Sequence, residues 1–573
     1  MGEPGWVSGD GPARGIVLVG FMGAGKSSVG PLLARRLGLP FVDLDQEVER
    51  LAGRSIPEIF QAGGEAAFRA LEARAVRALS AGVARVIATG GGVVEDPSNR
   101  AHLQRLGTVV WLFADLAASL ERASRDGMSR PLLAEGSQGG QGIEERWRRR
   151  RWLYATAPVW VETRGLTPEG VAEQIPDALA WLDGPVTPVA WVLGGPQRAS
   201  PIFCADGLLG PDRAPQLARW LQRAGAGGRA LVVADRALSR QGLASRLAQA
   251  LSACGMGAWA CEVGPGERAK RLAAVAGLYA EALRGGLDRS GTVVALGGGA
   301  CLDAAGFFAS TYMRGVPWVA APTTLLAQVD ASVGGKTAIN LPPAKNLVGT
   351  FHPPALVLAD TRTLDTLPAR ELRCGLAEVV KHGLVGDPGL LAELVARFDT
   401  EGRPLSGPAL MERMEPDLVG RAARIKAVVV SEDLTERGVR AILNFGHTTA
   451  HALEALSGFR MRHGEAVAIG LVTALLLSRQ VGLLRDDGLI QQVVGLLRRM
   501  GLPVRSRVQL APEALWEVMA YDKKARGGTR RWVLLAGPGQ PVIAGGEVSF
   551  ELFAEVWKRQ ARLGRGAEED SRS

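Results

Sequence analysis

Residues 20–27 of the chain read GFMGAGKS and carry the first recognisable chemistry. They fit the phosphate-binding pattern GxxxxGK[ST] completely, between a strand pattern and a helix pattern. In such a loop, backbone N–H groups surround nucleotide phosphates, the lysine neutralises the terminal phosphates and the hydroxyl binds Mg²⁺. A chance glycine-rich turn is the alternative, and this context disfavours it. The pattern predicts a nucleotide site made by Gly23, Ala24, Gly25, Lys26, Ser27 and Ser28.

Two carboxylates follow the next short strand pattern, in the segment FVDLDQEVE. A period of two places Asp43 and Asp45 on one side of an extended chain. One suits Mg²⁺ and the other suits holding or deprotonating an acceptor hydroxyl, whereas solvated turn acids are the alternative. Arg69 and the glycines 90–92 add a guanidinium and open backbone amides. Together these groups favour an acceptor that bears a carboxylate.

Half of the chain's six histidines lie close together, at His447, His451 and His463. The first two are four positions apart and share one face of a helix. His-x-x-x-His is a metal-ligand spacing, but Thr448 stands where a metalloprotease would have its catalytic glutamate. With Glu378, these residues offer N and O ligands suited to catalytic zinc. Histidines at the surface or satisfied in a core are the alternative.

Glycines and charged residues also follow strand patterns earlier in the chain. Asp235 ends one strand pattern, where a carboxylate can bind a ribose hydroxyl. The glycines 297–299, followed by Asp303, suit a pyrophosphate, but without GxGxxG a dinucleotide is only one of two open readings. Lys336 and Lys345 among glycines favour a phosphorylated substrate, with solvated surface lysines as the alternative.

These residues need α/β scaffolds to hold them. Strand and helix patterns alternate from residue 15, a linker-like DGPVTP follows at 183–188, alternation then restarts, and long helical patterns dominate from 368. We predict an α/β fold: a P-loop kinase domain with a parallel sheet (1–182), a Rossmann-like α/β domain (189–367), an α-helical metal-binding domain (368–561) and a disordered tail (562–573). The clearest strand patterns are 16–19, 86–88, 109–113, 231–234 and 292–296, and the clearest helix patterns are 29–37, 371–384, 419–430 and 466–481.

Composition narrows the class of protein. A chain of 573 residues is longer than a single hydrophobic core usually supports, so we expect two or more domains. The net charge of +9 comes mostly from scattered basic residues, densest at 146–151, without the aromatic-interleaved stripe of a nucleic-acid site. No apolar run reaches membrane-span length, no signal peptide opens the chain, and the five cysteines have no CxxC spacing. We expect a cytoplasmic protein with small-molecule substrates and neither nucleic-acid nor membrane partners.

The segment from residue 15 to 182 resembles shikimate kinase. The resemblance rests on the order and spacing of GFMGAGKS, FVDLDQEVE, GRSIPEIF, FRALE at 68–72, GGG at 90–92 and SRPLL at 129–133. It implies that Lys26 and Ser27 serve ATP and Mg²⁺, that Asp43 binds Mg²⁺, and that Asp45 binds the shikimate hydroxyls and is the candidate base. It further implies a lid contact from Arg130 to the ATP phosphates and shikimate contacts from Arg69, Gly90, Gly91, Gly92 and Arg150.

One departure from that family lies in the basic run. The family pattern R-x-P-L-Y is here Arg150-Arg-Trp-Leu-Tyr154, so Trp152 replaces the proline. Because four arginines are consecutive, Arg151 is the alternative to Arg150 as the residue that grips the shikimate carboxylate. The resemblance also reinterprets the basic run, part of which would serve an acidic substrate.

The segment from residue 188 to 557 resembles 3-dehydroquinate synthase. The motifs GGGxxxD, PTTLLAQVDASVGGKT, KNLVGTFHPP, GLAEVVKHG, LNFGHTxxHALE and RHGE occur in family order. The resemblance implies that Glu378, His447 and His463 bind Zn²⁺ or Co²⁺, and it moves His451 to a substrate or proton-transfer role. Ala450 stands where the family usually has glycine, and we expect activity to be retained.

The same resemblance implies the rest of the second site. Arg314 would reach the substrate phosphate from the partner subunit of a homodimer, and one of Lys523 and Lys524 would enter the site. NAD would be held by Asp235, Glu267, Lys270, Gly298, Gly299, Asp303, Thr323, Thr324, Lys336 and Lys345. The substrate and catalytic contacts would be Asp330, Lys336, Asn346, Lys381, Lys426, Glu436, Arg440, Asn444 and His451.

Together the two resemblances imply a bifunctional enzyme. One half would phosphorylate shikimate to shikimate 3-phosphate with ATP. The other would convert 3-deoxy-D-arabino-heptulosonate 7-phosphate to 3-dehydroquinate and phosphate, using a divalent metal and NAD⁺ as a transient oxidant that is regenerated. The alternatives are a related sugar-phosphate cyclase fused to another small-molecule P-loop kinase, and a nucleic-acid-linked ATPase.

Overall fold

The computed structural model describes residues 15–125, 139–195, 198–342, 344–399, 404–524 and 531–563. The chain forms two compact units, Met1–Phe203 and Cys204–Ser573. Of the predicted disordered tail, residues 564–573 lie outside the described part.

The first unit is built on five parallel strands: β1 Gly15–Val19, β2 Phe41–Asp43, β3 Val86–Ala88, β4 Gly107–Phe113 and β5 Val159–Glu162. Their order across the sheet is β2-β3-β1-β4-β5. The central strand β1, with the sequence GIVLV, is buried at every position, as expected for a strand of a covered parallel sheet. The strand patterns at 16–19, 86–88 and 109–113 are confirmed.

Seven helices of the first unit are described: α1 Lys26–Leu37, α2 Leu44–Ala52, α3 Ile56–Ala78, α4 Pro97–Leu106, α5 Leu116–Arg125, α6 Gly139–Tyr154 and α7 Pro168–Leu179. Apolar residues of α1 and α7 form a core with those of the sheet, including Leu18, Val29, Leu33 and Ile175. The 3₁₀ turn Val93–Glu95 leads from the GGG segment into α4.

A short antiparallel hairpin ends the first unit. Its strands are β6 Ala190–Leu193 and β7 Ala199–Ala205. The Trp191 indole anchors it to the kinase-like fold, because Nε1 donates to the carbonyl of Pro158 at 2.9 Å. The predicted linker 183–188 precedes β6, and the boundary between the units falls inside β7.

The second unit begins as an α/β fold. Its strands are β8 Arg229–Asp235, β9 Gly257–Val263, β10 Thr292–Gly297, β11 Trp318–Pro322, β12 Lys336–Leu341, β13 Ala344–Phe351 and β14 Leu356–Asp360. Five are parallel in the order β14-β11-β10-β8-β9, while β12 and β13 form a separate hairpin. The helices of this part are α8 Ala214–Arg223, α9 Arg236–Arg240, α10 Leu243–Ala253, α11 Leu272–Arg284 and α12 Gly299–Thr311.

Helices dominate the second unit after residue 368, as predicted. They are α13 Ala369–Val385, α14 Pro388–Arg397, α15 Gly407–Met411, α16 Pro416–Glu432, α17 His447–Leu456, α18 His463–Gln480, α19 Asp487–Arg499, α20 Pro512–Lys524 and α21 Phe550–Gln560. The antiparallel hairpin β15 Arg531–Gly537 and β16 Gln540–Gly545 interrupts them and was not predicted. Among the described residues, no helix is both long and apolar enough to cross a membrane.

Candidate active sites

The phosphate-binding loop connects β1 to α1, as the sequence pattern requires. Gly23 and Gly25 adopt φ values of 73° and 89°, a conformation that favours glycine. A Cβ atom on Gly23 would lie 2.2 Å from the carbonyl oxygen of Ser119, so a larger residue does not fit. Gly25 caps α1 and leaves the first N–H groups of that helix directed at the loop. The loop therefore has the form of an anion-binding helix start.

Lys26 is buried within this loop. Its ammonium donates to the carbonyls of Gly20 at 2.8 Å and Phe21 at 3.0 Å. Ser27 and Ser28 are exposed in the first turn of α1, where their hydroxyls are accessible to a metal–nucleotide complex. A phosphate entering the loop would therefore meet one positive charge, several N–H groups and two hydroxyls.

Asp43 ends β2 and caps α2, because its Oδ1 accepts from the backbone N–H of Asp45 at 3.0 Å. The prediction that both carboxylates lie on one side of an extended chain is wrong, since a helix begins at Leu44. The cap keeps the two acids adjacent all the same. Burial raises the pKa of Asp45, and the charge of Asp43 raises it further. A carboxyl with a raised pKa suits proton transfer from an acceptor hydroxyl.

The GGG segment lies against Asp45 and two charged residues of α3. A Cβ on Gly90 would lie 2.6 Å from Glu72 and 2.9 Å from Asp45, and one on Gly92 would overlap the Arg69 guanidinium at 2.1 Å. Arg69 donates to Glu72 at 2.8 Å, which leaves the second oxygen of that buried carboxylate without a hydrogen-bond partner among the described residues. Glycine at 90–92 thus keeps open a pocket lined by acids and a guanidinium.

Arg150 enters the same region from α6. Its Nε and Nη2 donate to Glu95 Oε2 at 3.0 and 2.6 Å, and its side chain is only 3% exposed. Tyr154, one helical turn on, donates its hydroxyl to the carbonyl of Gly91. Arg149 contacts the other oxygen of Glu95. The structure therefore places Arg150 against the turn that follows the GGG segment, while its role in gripping the shikimate carboxylate stays a prediction.

The neighbouring Arg151 has different surroundings. Its guanidinium lies over the ring of Trp152, 4.4 Å from the centroid. Trp152, which stands at the proline position of the family pattern, thus packs against the guanidinium of the preceding residue. This geometry favours Arg150 over Arg151 for the acceptor pocket. Arg130, the predicted lid residue, lies outside the described residues.

In the second unit, three neighbouring parallel strands end at one glycine-rich turn. Gly297 ends β10 opposite Pro322, the last residue of β11, and the N–H of Thr323 donates to the carbonyl of Gly297 at 3.0 Å. Asp235 ends β8 and caps α9, accepting from Ala237 at 2.9 Å. In open parallel sheets, ligands bind beyond the carboxyl ends of the strands, at such a point.

The turn itself leaves space for a ligand because it lacks side chains. A Cβ on Gly298 would lie 3.2 Å from the methyl of Thr324, and one on Gly299 would lie 3.2 Å from Ala331. Gly298 is the N-cap of α12, so the first N–H groups of that helix face the turn. The arrangement suits a pyrophosphate.

A chain of polar contacts joins the predicted NAD residues beyond this turn. Lys270 donates to Asp303 at 2.5 Å and also contacts Asn346. Glu267 accepts from Asn340 at 2.5 Å, and the Asn340 side chain accepts from the N–H of Asn346 at 3.1 Å. Burial raises the pKa of Asp303, which the charge of Lys270 opposes. The structure thus links Glu267, Lys270 and Asp303 through the hairpin β12–β13.

The metal-ligand candidates converge from three helices. Glu378 lies in α13, His447 begins α17 and His463 begins α18. One ligand atom from each lies within 4.8 Å of the others. Glu378 Oε1 is 3.4 Å from His447 Nε2 and 3.2 Å from His463 Nε2. This set of one carboxylate and two imidazoles, in which Glu378 and His447 are buried and His463 is partly exposed, matches the ligand chemistry of a catalytic zinc or cobalt site.

Further contacts hold the two imidazoles. His447 Nδ1 lies 3.2 Å from the carbonyl of Phe445, an acceptor that suits the tautomer in which Nδ1 donates and Nε2 is left for a metal ion. His463 Nδ1 lies 3.3 Å from Glu454. In that tautomer His447 Nε2 and Glu378 Oε1 suit a cation between them, and an outer carboxylate on a ligating histidine is the usual orienting partner.

His451 follows His447 by one turn of α17, and their ring centroids are 5.6 Å apart. The predicted helix and shared face are confirmed, but the three-residue cluster is formed by Glu378, His447 and His463. His451 lies beside it, 6.5 Å from the ring of His463. This placement suits contact with a bound substrate rather than the metal.

Lysines and acids alternate next to the ligand cluster. Lys381 contacts Glu378 from the same face of α13, and Lys426 of α16 donates to the carbonyl of Asp330 at 2.5 Å and contacts its carboxylate. Burial opposes ionisation of Asp330, but the two lysines hold its pKa well below its usual range. Burial lowers the pKa of Lys426 to about 8, which Asp330 only partly offsets. The buried charges thus form a compact polar wall suited to a hydroxylated, phosphorylated substrate.

A third group completes that wall. Glu436 contacts Lys336 and accepts from the Asn444 amide at 3.2 Å. Arg440 is buried and donates to the carbonyl of Leu434 at 2.6 Å. The structure places Lys336 with these substrate residues rather than with the dinucleotide turn.

Backbone strain occurs at several of the same positions. Asn346 and Glu436 both have φ of 59°, and Arg314 has φ of 67°. Such conformations cost about 1–3 kcal/mol in non-glycine residues and tend to occur at functional sites. Arg314 is exposed, and Lys345 lies 4.0 Å from the ring centroid of Phe459. The side chains of Lys523 and Lys524, at the end of α20, lie outside the described residues.

The site includes residues that the sequence patterns did not single out: Glu72, Glu95, His382 and Glu454. Glu72 follows Arg69 by three residues in FRALE, and Glu454 follows His451 by three residues in HALE. A carboxylate one helical turn from a basic residue is therefore the signal that could have found both. His382 is buried beside Lys381, and in the described part of the chain neither ring nitrogen has a hydrogen-bond partner. Burial, with the charge of Lys381, lowers its pKa to about 3, so the ring is neutral.

Comparison with known proteins places both regions in families. A family model of shikimate kinase matches residues 22–180, and models of the N-terminal and C-terminal parts of 3-dehydroquinate synthase match 260–374 and 375–525. The 3-dehydroquinate synthase of Symbiobacterium thermophilum is 46% identical over 317 residues, covering 55% of this chain and 86% of that protein. The chain belongs to the 3-dehydroquinate synthase family and carries a shikimate kinase domain.

Solved structures resemble each region. The 2-epi-5-epi-valiolone synthase of Streptomyces hygroscopicus, solved with NAD⁺ and Zn²⁺ bound, is 30% identical with a TM-score of 0.56, covering 65% of this chain and 99% of that one. A shikimate kinase from Acinetobacter baumannii in complex with shikimate is 36% identical with a TM-score of 0.28, covering 30% of this chain and 95% of that one. The higher identity to a dehydroquinate synthase leaves the related-cyclase alternative less well supported.

Proposed function

We propose that the chain is a bifunctional enzyme of the shikimate pathway. The kinase domain transfers a phosphoryl group from ATP to shikimate, and the synthase region converts 3-deoxy-D-arabino-heptulosonate 7-phosphate to 3-dehydroquinate and phosphate. The observation that supports this most directly is the coincidence of each family match with a region whose chemically suited residues converge. The site residues of both halves are proposed in the roles that follow.

In the kinase domain, the loop 23–28 cradles the ATP phosphates, with Ser27 and Asp43 toward Mg²⁺. Asp45, whose pKa burial raises, holds the acceptor hydroxyl and accepts its proton. Arg69 and Arg150 bind the shikimate carboxylate, and the open backbone at 90–92 lets the ring approach. Because phosphoryl transfer depends mainly on positioning and charge, these groups account for the chemistry.

In the synthase region, NAD⁺ and a divalent metal, when bound, supply the hydride acceptor and the polarisation of a substrate oxygen. Asp235, the turn at 297–299 and Lys270 would hold the dinucleotide. Glu378, His447 and His463 would hold Zn²⁺ or Co²⁺. The buried lysines and Arg440 bind and orient the phosphorylated substrate, and His451 is placed to move a proton at the substrate.

The finer organisation also stays a proposal. We place domain boundaries at 182/183, 188/189 and 367/368, within a chain whose synthase region forms a homodimer. The exposed and strained Arg314 suits a contribution to the partner's site. A cytoplasmic location stays a prediction.

Both activities are tested by paired assays on one purified preparation. We expect shikimate-dependent formation of ADP, and NAD-dependent release of phosphate from the heptulosonate phosphate that a chelator abolishes and Zn²⁺ or Co²⁺ restores. ATP turnover that responds to nucleic acid but not to shikimate would contradict the kinase assignment. Phosphate release from a different sugar phosphate alone would contradict the synthase assignment.

A further inference from the structure

The arginine that would grip the shikimate carboxylate is occupied by a carboxylate of the chain itself. Glu95 Oε2 accepts from Arg150 Nε at 3.0 Å and from Nη2 at 2.6 Å. Both bonds go to one oxygen and use the Nε–Nη2 edge, one of the two donor edges with which a guanidinium binds a carboxylate. One edge cannot serve two carboxylates with the same geometry, so the two acids exclude each other there.

The position of Glu95 makes this competition direct. It is the last residue of the turn Val93–Glu95, which follows the GGG segment without a break. Arg150 is only 3% exposed while it is paired with Glu95, so this buried guanidinium loses its charge partner when Glu95 leaves unless another anion replaces it. Burial opposes ionisation of Glu95, but Arg150 and Arg149 hold its pKa below the ordinary value, so it is charged at neutral pH.

Arg149 gives the displaced carboxylate a second partner. It contacts Glu95 Oε1, the oxygen that Arg150 does not use, and its side chain is 61% exposed. Glu95 can therefore lose its contact with Arg150 and keep the contact with Arg149, the neighbouring and more exposed residue of α6. No covalent bond changes in this exchange: one ion pair is replaced by another.

We propose that Glu95 is an internal competitor for Arg150, which shikimate must displace and which Arg149 then retains. This inference rests on the proposed kinase function. It makes Glu95 a specificity-determining residue, because only an acceptor whose carboxylate outcompetes Glu95 fills the pocket. A neutral analogue of shikimate leaves the Glu95–Arg150 pair in place and is rejected.

The test compares Glu95→Gln with the wild type in the full-length chain. Glutamine keeps the shape but removes the charge, so we expect the KM for shikimate and its calorimetric Kd to fall about three- to tenfold, with kcat within twofold. Arg149→Ala should raise the KM, because Glu95 then has only Arg150. The double variant should resemble Glu95→Gln, and this non-additivity is specific to competition.

Glu144→Gln is the matched control, because Glu144 pairs with Arg148 on the same helix. This variant should have the KM of the wild type for shikimate. A higher KM in Glu95→Gln would overturn the proposal and make Glu95 a residue that positions Arg150, and an unchanged KM would overturn it as well. A kcat within twofold of the wild type, together with an unchanged thermal unfolding curve, reports that the kinase domain of each variant has folded. Absence of shikimate-dependent ADP formation in the wild type would instead overturn the proposed kinase function.

Discussion

The acceptor pocket of the kinase domain and the metal-ligand cluster of the synthase region handle buried charge in opposite ways. In the pocket, each predicted shikimate arginine is paired with a carboxylate of the chain: Arg69 with Glu72, and Arg150 with Glu95. In the cluster, Glu378 and two imidazoles bring ligand atoms within 4.8 Å of one another, and the chain's own cation, Lys381, contacts the same carboxylate.

This difference separates two ways of preparing a site. A pocket that is neutral by itself folds without its ligand, and the ligand must displace an internal partner. A cluster of converging metal-ligand atoms gains a further partner when it binds a cation, so a bound metal adds stability as well as function. The first kind tunes specificity through competition, and the second ties local structure to metal loading.

The largest expected effect separates the two sites completely. Lys26→Ala removes the charge that neutralises the ATP phosphates, so shikimate kinase activity should fall by about 100-fold or more while synthase activity stays within twofold. His447→Ala removes a proposed metal ligand and should do the reverse. Paired assays on each preparation measure both rates.

A loss of both activities in either variant would contradict the independence of the two sites. Lys558→Ala is a matched control for the lysine substitution, since Lys558 is an exposed residue of α21. It should leave both rates unchanged. Thermal unfolding distinguishes general misfolding from loss of one site.

A smaller effect is expected at Glu454, the outer carboxylate of the metal-ligand cluster. Glu454→Gln weakens the contact that orients His463, so we expect the affinity for Zn²⁺ to fall about 10- to 100-fold. The measurement is a Kd by competition with a chromophoric chelator, without substrate. Glu555→Gln, at an exposed position of α21, is the control and should bind zinc as the wild type does. Unchanged affinity in Glu454→Gln would show that this carboxylate does not orient the ligand.

Much of both sites follows from the sequence, because their residues lie in short segments with strict spacing. The P-loop requires glycine where φ is positive, and the strand patterns around it are apolar enough to predict β1 and α1 within a few residues. Residue spacing predicts the proposed metal ligands only in part. The i, i+4 histidines share a helix face as predicted, but His463 and the distant Glu378, rather than His451, join His447 in the cluster.

The remaining features depend on long-range packing. The Glu95–Arg150 pair joins residues separated by 55 positions, and within four consecutive arginines only the rotation of α6 decides which one faces the pocket. The two acids of FVDLDQEVE do not keep a strand period because Asp43 is a good N-cap and ends the strand. The hairpin β12–β13 lies in a segment that contains lysine, asparagine and glycine, and this composition does not predict strands.

A pH dependence tests whether the buried lysines of the synthase region act as substrate-binding charges. Lys426 faces Asp330, Arg440 and Lys381, and burial lowers its pKa to about 8. The ammonium is protonated below this value and loses its proton above it, so the KM for the phosphorylated substrate should rise above about pH 8, by up to tenfold per pH unit. Lys426→Arg should remove the rise within this range.

The lowered pKa of Lys426 also affects stability, and stability changes with pH in the opposite direction to substrate binding. The folded pKa lies below the ordinary value of 10.5, so the unfolded chain binds more protons between pH 8 and 10.5. This lysine therefore destabilises the fold at neutral pH, and its cost falls as pH rises through that window. Urea unfolding of the wild type and Lys426→Met measures the difference. A KM that is flat from pH 7 to 9.5 would contradict the assigned role.

The smallest expected effect concerns Ala450, where the synthase family usually has glycine. Ala450 is fully buried in α17, between His447 and His451, and its N–H donates to Gly446. The helix passes α18 closely: a Cβ on Gly470 would lie 2.1 Å from the carbonyl of Gly446 and 3.3 Å from the nitrogen of Ala450. The close approach therefore depends on Gly470, and the methyl of Ala450 is accommodated.

Ala450→Gly should then lower the free energy of unfolding by about 1 kcal/mol, from the greater flexibility of glycine in a helix and the loss of a buried methyl, and leave synthase activity and zinc affinity within twofold. Gly470→Ala is the contrasting change at the same contact and should be more disruptive, because its Cβ meets backbone that cannot move without shifting His447. If Ala450→Gly raised activity severalfold, the methyl would be restraining the histidines, and the cluster would be less pre-organised than the acceptor pocket of the kinase domain.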